Sequence, residues 1–287
     1  MGSSTPELSG LSGPTYVTAQ SLVQQVAYVL SDKIFAYSPE SFDLDAALKQ
    51  WASSRACNAH GEPPSVNSME TRQGAGNIAL GYLFSRDFDL KKRHIPQGVI
   101  ASSATLPYMR TALEQLSLLY SVASPVAAHV AAVDYAGADG LVSDYATALA
   151  LAEDLGFGLV SSASVHEAQH MALFTTLLAS VLPSVHIYDG VRVGRENTRV
   201  IDVLDKNSLS QTFNTVRKTL EDARSRHLDA EGKVMEILQS LNGELGTDYG
   251  LFEYSGHEEP TSVLVTFGTV EASLTAQIAN ALAKSGT

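Results

Sequence analysis

Residues 166–170 read His166-Glu167-Ala168-Gln169-His170, two imidazoles four positions apart with a carboxylate between them. On a helix, positions i and i+4 share a face, so both rings can reach one Zn²⁺ while the glutamate activates its bound water. That is the chemistry of zinc hydrolases, and it needs a third ligand. The extended form of the signature would place glycine at 173 and histidine at 176, where Leu173 and Thr176 stand. Glu196 follows a strand and an Asp-Gly turn instead of lying on a second helix. With only three fixed residues and no third ligand, His166, Glu167 and His170 read as a chance match. They are expected on the exposed face or cap of a helix covering a sheet, with zinc hydrolysis kept as a remote alternative.

Other residues with chemical potential are similarly sparse. Gly74-Ala75-Gly76 precedes a helix, whose N-terminus could take an anion, but it lacks the G-x-G-x-x-G spacing and suits close strand–helix packing. Asp189-Gly190 reads as a strand end and turn, with ligand binding as the alternative. Cys57 is the only cysteine, which excludes an intramolecular disulfide and a cysteine-based metal cluster, and with Ala56 and Asn58 beside it a resting thiol is expected rather than a nucleophile. Tyr135, Tyr188 and His129 follow strand carboxyl ends and could line a cleft, although core or interface packing is the role expected of each.

The elements that must position these groups alternate. IFAY, VIASS, PVAAHVAAVDY, FGLV and SVHIYD are apolar runs of strand length, each separated by a helical segment such as DLDAALKQWASSR, SDYATALALAEDLG or Val165–Leu178. Strands apolar throughout, alternating with amphipathic helices, predict a doubly wound, mostly parallel α/β sheet covered on both faces. Ser143 is the expected cap of the SDYATALALAEDLG helix, and Ser162 or Ser164 that of the next one. Ligands in such sheets bind outside the strand carboxyl ends, near a switch in strand order. Residues 1–17 read as a flexible Ser/Gly/Pro arm, 18–200 as the α/β domain and 201–260 as a polar helical connecting segment. Residues 261–287 read as the first strand–helix unit of a truncated second α/β domain.

Composition narrows the partners. Of 287 residues, 45% are hydrophobic and 17% charged, as in a globular chain with a sizeable core. A net charge of −12 argues against nucleic acid and anionic membranes. The main basic cluster, Lys91-Lys92-Arg93, is short enough for a solvated loop. No stretch reaches the roughly 18 apolar residues of a membrane span, and the opening residues lack the pattern of a secretory signal. A cytoplasmic, reducing setting is expected.

The turns carry a likeness. SSASVHEAQHMALFTTLLASVLPSVHIYDGVRVGRE, IFAYSPESFDLDAALKQWA and METRQGAGNIALGYLF resemble segments of the amino-terminal domain of pyruvate:ferredoxin oxidoreductases, which are thiamine-diphosphate enzymes. IFAYSP, RQGAG, VDYAG with SDYATAL, HEAQHMAL, YDGVRV and VTFGTVEASL fall in matching order in the amino-terminal region of the fungal flavoprotein (alpha) subunits of NADPH-dependent assimilatory sulfite reductase.

The resemblance to the oxidoreductases implies a thiamine-diphosphate pyrimidine-domain-like fold and fixes the positions at which to seek their chemistry. Their glycine turn carries an acidic residue that bonds the cofactor's aminopyrimidine, and the matching position is Arg72, which cannot accept a proton. Their substrate-carboxylate arginine matches Val133, which offers no bidentate clamp. Ser38 matches the hydroxyl of the substrate loop. Ser38, Gly74 and Asp189 would line what remains of the cleft. The chain is therefore expected to be a catalytically silent relative with no cofactor of its own. The likeness to sulfite reductase implies FAD and NADPH in a reductase module absent from this chain, and association with the sirohaem (beta) subunit or with itself. A thiamine-dependent 2-oxoacid oxidoreductase subunit is the enzymatic alternative.

Overall fold

The computed structural model describes residues 6–84, 94–137, 140–223 and 229–285. The Lys91-Lys92-Arg93 cluster lies outside the described residues. In chain order the elements are β1 (Gly13–Val17), α1 (Ala19–Leu30), β2 (Lys33–Tyr37), α2 (Ala46–Ser53), β3 (Ser65–Met69) and α3 (Asn77–Leu83). Then come β4 (Gln97–Ser102), α4 (Leu106–Leu119), β5 (Val126–Ala132), β6 (Asp134–Tyr135), β7 (Leu141–Val142), α5 (Ala146–Leu155), β8 (Gly158–Ser161) and α6 (Val165–Leu178). The rest are β9 (Ser184–Asp189), β10 (Thr198–Val203), α7 (Lys206–Ala223), α8 (Ala230–Leu245) and α9 (Thr269–Ser285).

Six of the strands form one parallel sheet in the order β3-β2-β4-β5-β9-β8. The doubly wound α/β expectation holds, with switches in strand order at β2/β4 and β5/β9. Alternate residues feed two cores. Ile34, Ile100, Ala131 and Tyr188 pack under α1 and α6, while Phe35, Val99, Val130 and Ile187 pack under α3, α4 and α5. α7 and α8 form a further layer over α1 and α6. Because α6 meets the sheet, α1, α7, α8 and β10, nearly its whole circumference is buried. Full burial of a side chain such as Leu173 or Leu177 contributes roughly 2 kcal/mol.

Three sequence expectations need correcting. Residues 6–17 are not a flexible arm: Leu8 and Leu11 are buried, and β1 pairs antiparallel with β10. Side-chain amides hold this junction. Gln25 donates to the carbonyls of Leu11 and Leu204 at 3.2 and 3.0 Å, and Gln169 donates to Gln25 Oε1 at 2.6 Å. The 201–260 segment is more than a connector, since Leu209, Phe213, Val216, Ile237, Leu238 and Leu241 join the core over α1 and α6. Residues 262–266, expected as a strand, form none; Val263, Leu264 and Val265 are exposed and have no ladder to join.

The caps are partly as expected. Ser164 caps α6, accepting from Glu167 N at 3.1 Å. At α5 the cap is Asp144 and not Ser143: its carboxylate accepts from Thr147 N at 3.1 Å, a stronger charge-assisted acceptor for an orphan amide.

Candidate functional site

The carboxyl edge of the sheet should hold any ligand, and its turns are engaged with each other. At the β2/β4 switch, Thr105 donates its hydroxyl to Tyr37 O at 3.0 Å. Ser38 turns its hydroxyl to Pro39 O at 3.1 Å. The β6–β7 hairpin leans over this point, with Tyr135 packed on Phe42 at 4.8 Å between ring centroids and its hydroxyl 2.8 Å from that of Ser41. At the β5/β9 switch, Asp189 Oδ1 accepts from the amides of Val191 and Arg192 at 2.8 and 2.7 Å. That is an Asx-type turn, which satisfies the carboxylate locally.

Ser38, Gly74 and Asp189 are not brought into one cleft. Ser38 follows β2 and Asp189 ends β9, three strand spacings away, about 14 Å. Gly74 follows the edge strand β3 and has a positive φ of 85°, so its role is to turn the backbone. Gly76 explains the packing: a Cβ there would come within 2.9 Å of Ala112 Cβ on α4.

Arg72 lies on the same turn, exposed, with its guanidinium 2.9 Å from Glu70. Val133 is fully buried. It fills the space beside Gly190, where any added Cβ would meet Ala131 and Val133 at 2.9 Å.

The helix with the paired histidines is the second candidate. The rings of His166 and His170 lie 4.4 Å apart between centroids. His166 Nε2 stands 3.0 Å from Asp202 Oδ1, and His170 Nδ1 stands 2.8 Å from the hydroxyl of Tyr249. The expected exposed placement fails for His170, which is buried because α7 and α8 cover this part of α6. Burial first, and then the neighbouring His166, lower its pKa to about 4, so it is neutral at pH 7. The Glu167 carboxylate accepts from Ala163 N at 2.7 Å while its own amide donates to Ser164 Oγ, a reciprocal Ser164-x-x-Glu167 arrangement at the helix start. Burial raises the carboxylate's pKa, against the lowering effect of the Ala163 amide. Among the described residues no three His, Cys, Asp or Glu groups are placed to hold a metal ion.

Sequence reasoning missed Tyr249 and Asp202, which sit 79 and 36 positions from the histidines they meet. Nothing local signals them. The capping role of Glu167, by contrast, is written in the Ser-x-x-Glu spacing. Two more histidines escaped notice as a pair. His129 and His186 are opposed in register on β5 and β9, completely buried, with ring centroids 5.6 Å apart. Burial depresses both, His129 to about 3.

No family profile matches the chain. It is similar to the probable sulfite reductase (NADPH) flavoprotein component of Schizosaccharomyces pombe, 26% identical over 87% of this chain and 24% of that protein. It is also similar to the sulfite reductase (NADPH) flavoprotein component of Saccharomyces cerevisiae, 25% identical over 91% of this chain and 24% of that protein. The pyruvate:ferredoxin oxidoreductase of Moorella thermoacetica is 25% identical over 85% of this chain and 22% of its own length. Among solved structures, a 2-oxoglutarate:ferredoxin oxidoreductase from Magnetococcus marinus superposes with a TM-score of 0.47 at 11% identity, covering 68% of this chain and 32% of that one. The resemblances read from the motifs thus extend over most of the chain, which spans about a quarter of the length of the curated relatives.

Proposed function

We propose that the chain is a non-catalytic scaffold and subunit-association domain of an assimilatory, NADPH-dependent sulfite reductase. In this reading it works in the cytoplasm and holds together an assembly whose flavin and NADPH sites lie in a separate reductase module. The sirohaem subunit, a second copy of the chain, or both are the partners. The similarity to two sulfite reductase flavoprotein components supports it.

One observation carries the non-catalytic part: the guanidinium of Arg72, paired with Glu70 at 2.9 Å, occupies the turn where thiamine chemistry needs a free carboxylate. A permanently cationic group cannot take up the aminopyrimidine proton. Val133, sealed against Gly190, leaves no group for a substrate carboxylate. The residues present therefore do not fit thiamine diphosphate. Support for association comes from α9, which presents Val270, Leu274, Ile278 and Leu282 to solvent. These residues recur every fourth position as one apolar ridge, the pattern that packs against another helix.

Titrating the purified chain with thiamine diphosphate and Mg²⁺ tests the first part, with no saturable binding expected in the micromolar range. Micromolar binding would make the chain a thiamine-dependent subunit instead. Pull-down of the sirohaem subunit by the tagged full chain tests the second, and absence of both co-purification and self-association would refute it.

A further inference from the structure

Large apolar side chains are exposed unevenly. Of the twenty such side chains among the described residues, ten lie between Leu251 and Leu282. Scattered exposure is ordinary, but a concentration of this kind marks an interaction surface. Its regular part is α9, which has two sides. Against one lies the turn at Gly256, where an added Cβ would come within 3.7 Å of Ala279 Cβ. Ala272, Ala276 and Ala283 share that side by their helical spacing and are half-buried. The ridge of Val270, Leu274, Ile278 and Leu282 faces away, each residue between 39 and 54% exposed.

The charges of α9 select what covers the ridge. The helix carries one acid, Glu271 in its first turn, and one base, Lys284 in its last. It is therefore neutral on a chain of net charge −12, so two copies can meet here with the least repulsion. A helix with the same charges at the same ends fits it in one direction only. Antiparallel, each Glu271 meets the other copy's Lys284; parallel, like would meet like. We propose that the ridge pairs with that of a second copy of the chain, the two α9 helices antiparallel about a two-fold axis at the level of Ala276. Leu274 then opposes Ile278 of the second copy, and Val270 opposes its Leu282, a self-complementary contact. Rows of every fourth residue interdigitate in this way. The proposal rests on the association role and names its partner.

The ridge is only about 18 Å long, so the interface is small and the dimer reversible. Sedimentation velocity of the full chain over a concentration series should show a monomer–dimer equilibrium, with a dissociation constant of roughly 10–100 μM. Lys284→Glu should weaken it about fivefold, and adding Glu271→Lys to that variant should restore it. In a Cys57→Ser background, Gln277→Cys stands about 3 Å along the axis from its counterpart and should be joined by a short bis-maleimide. Ser285→Cys, about 27 Å from its own, should not. Circular dichroism of each variant checks folding. A monomer at every concentration, a dimer unaffected by both Leu274→Glu and Lys284→Glu, or equal cross-linking at both cysteines would each overturn the pairing. Pull-down of the sirohaem subunit is a separate readout: its success with a monomeric chain would remove the pairing alone and leave the association role standing.

Discussion

His170 on α6 and Tyr249 in the segment after α8 meet at 2.8 Å. The contact ties a helix of the inner layer to the chain leaving the outer one. The backbone of Tyr249 is fixed independently by Asn242, which both donates to its carbonyl and accepts from its amide. Tyr249→Phe should therefore leave the backbone in place and orphan one buried imidazole nitrogen. The expected loss is about 1–2 kcal/mol, read from the urea midpoint.

The buried histidines set a pH dependence. His129 is neutral in the fold, with a pKa near 3, whereas an unfolded histidine takes up a proton near pH 6.5. Between those values the unfolded chain binds more protons, so this contribution is whole above about pH 6.5 and falls as the pH falls. His170, near 4, acts in the same direction. Going from pH 6.5 to 5 should cost roughly 2 kcal/mol per such ring. Urea titrations at both pH values should show a shallower dependence in His129→Leu; an unchanged slope would mean that His129 is not neutral.

Introducing arginine at Val133 is expected to unfold the protein and not to create a carboxylate site. The position is wholly buried, and Gly190 has no room to yield. An unpaired buried charge costs several kcal/mol. Loss of the cooperative thermal transition in Val133→Arg is the result to look for, and a folded variant that binds pyruvate would contradict it.

Gln25→Leu should show what the first residues contribute. The amide of Gln25 serves Leu11 O and Leu204 O and accepts from Gln169, so its removal strands several buried groups at once. A destabilisation of about 2–4 kcal/mol is expected, together with faster proteolysis ahead of α1.

Leu274→Glu probes the α9 ridge. Leu274 is about half exposed, so stability should change by no more than about 0.5 kcal/mol. Association with the sirohaem subunit or with a second copy should weaken in sedimentation velocity. Unchanged association would remove α9 from the interface.

The parallel sheet was legible because its strands are buried on both faces and read as unbroken apolar runs; β2 and α6 fall at Lys33–Tyr37 and Val165–Leu178 as expected. Its edges were not. β3 is a half-polar edge strand that begins within a Pro/Gly-rich stretch, and β1 meets β10 across some 180 residues, a pairing that no local window contains. VLV at 263–265 misled in the opposite direction, since β-branched residues make a strand only where a neighbour supplies the ladder. The inward burial of His170 was hidden for a related reason: α6 is packed on every side, and a helix buried all round carries no amphipathic stripe to orient it.

Where α9 begins has a mechanical consequence. Its first residue, Thr269, is held at the sheet's carboxyl edge, its hydroxyl donating to Ser162 O at 3.3 Å and its amide donating to the Tyr145 hydroxyl at 3.2 Å. Beyond that root no helix or strand packs extensively along it among the described residues. A rod of about 25 Å pinned at one end is a lever. Whatever grips its ridge applies torque at Tyr145 and Ser162, so docking at a distance is felt first where β8 hands over to α6.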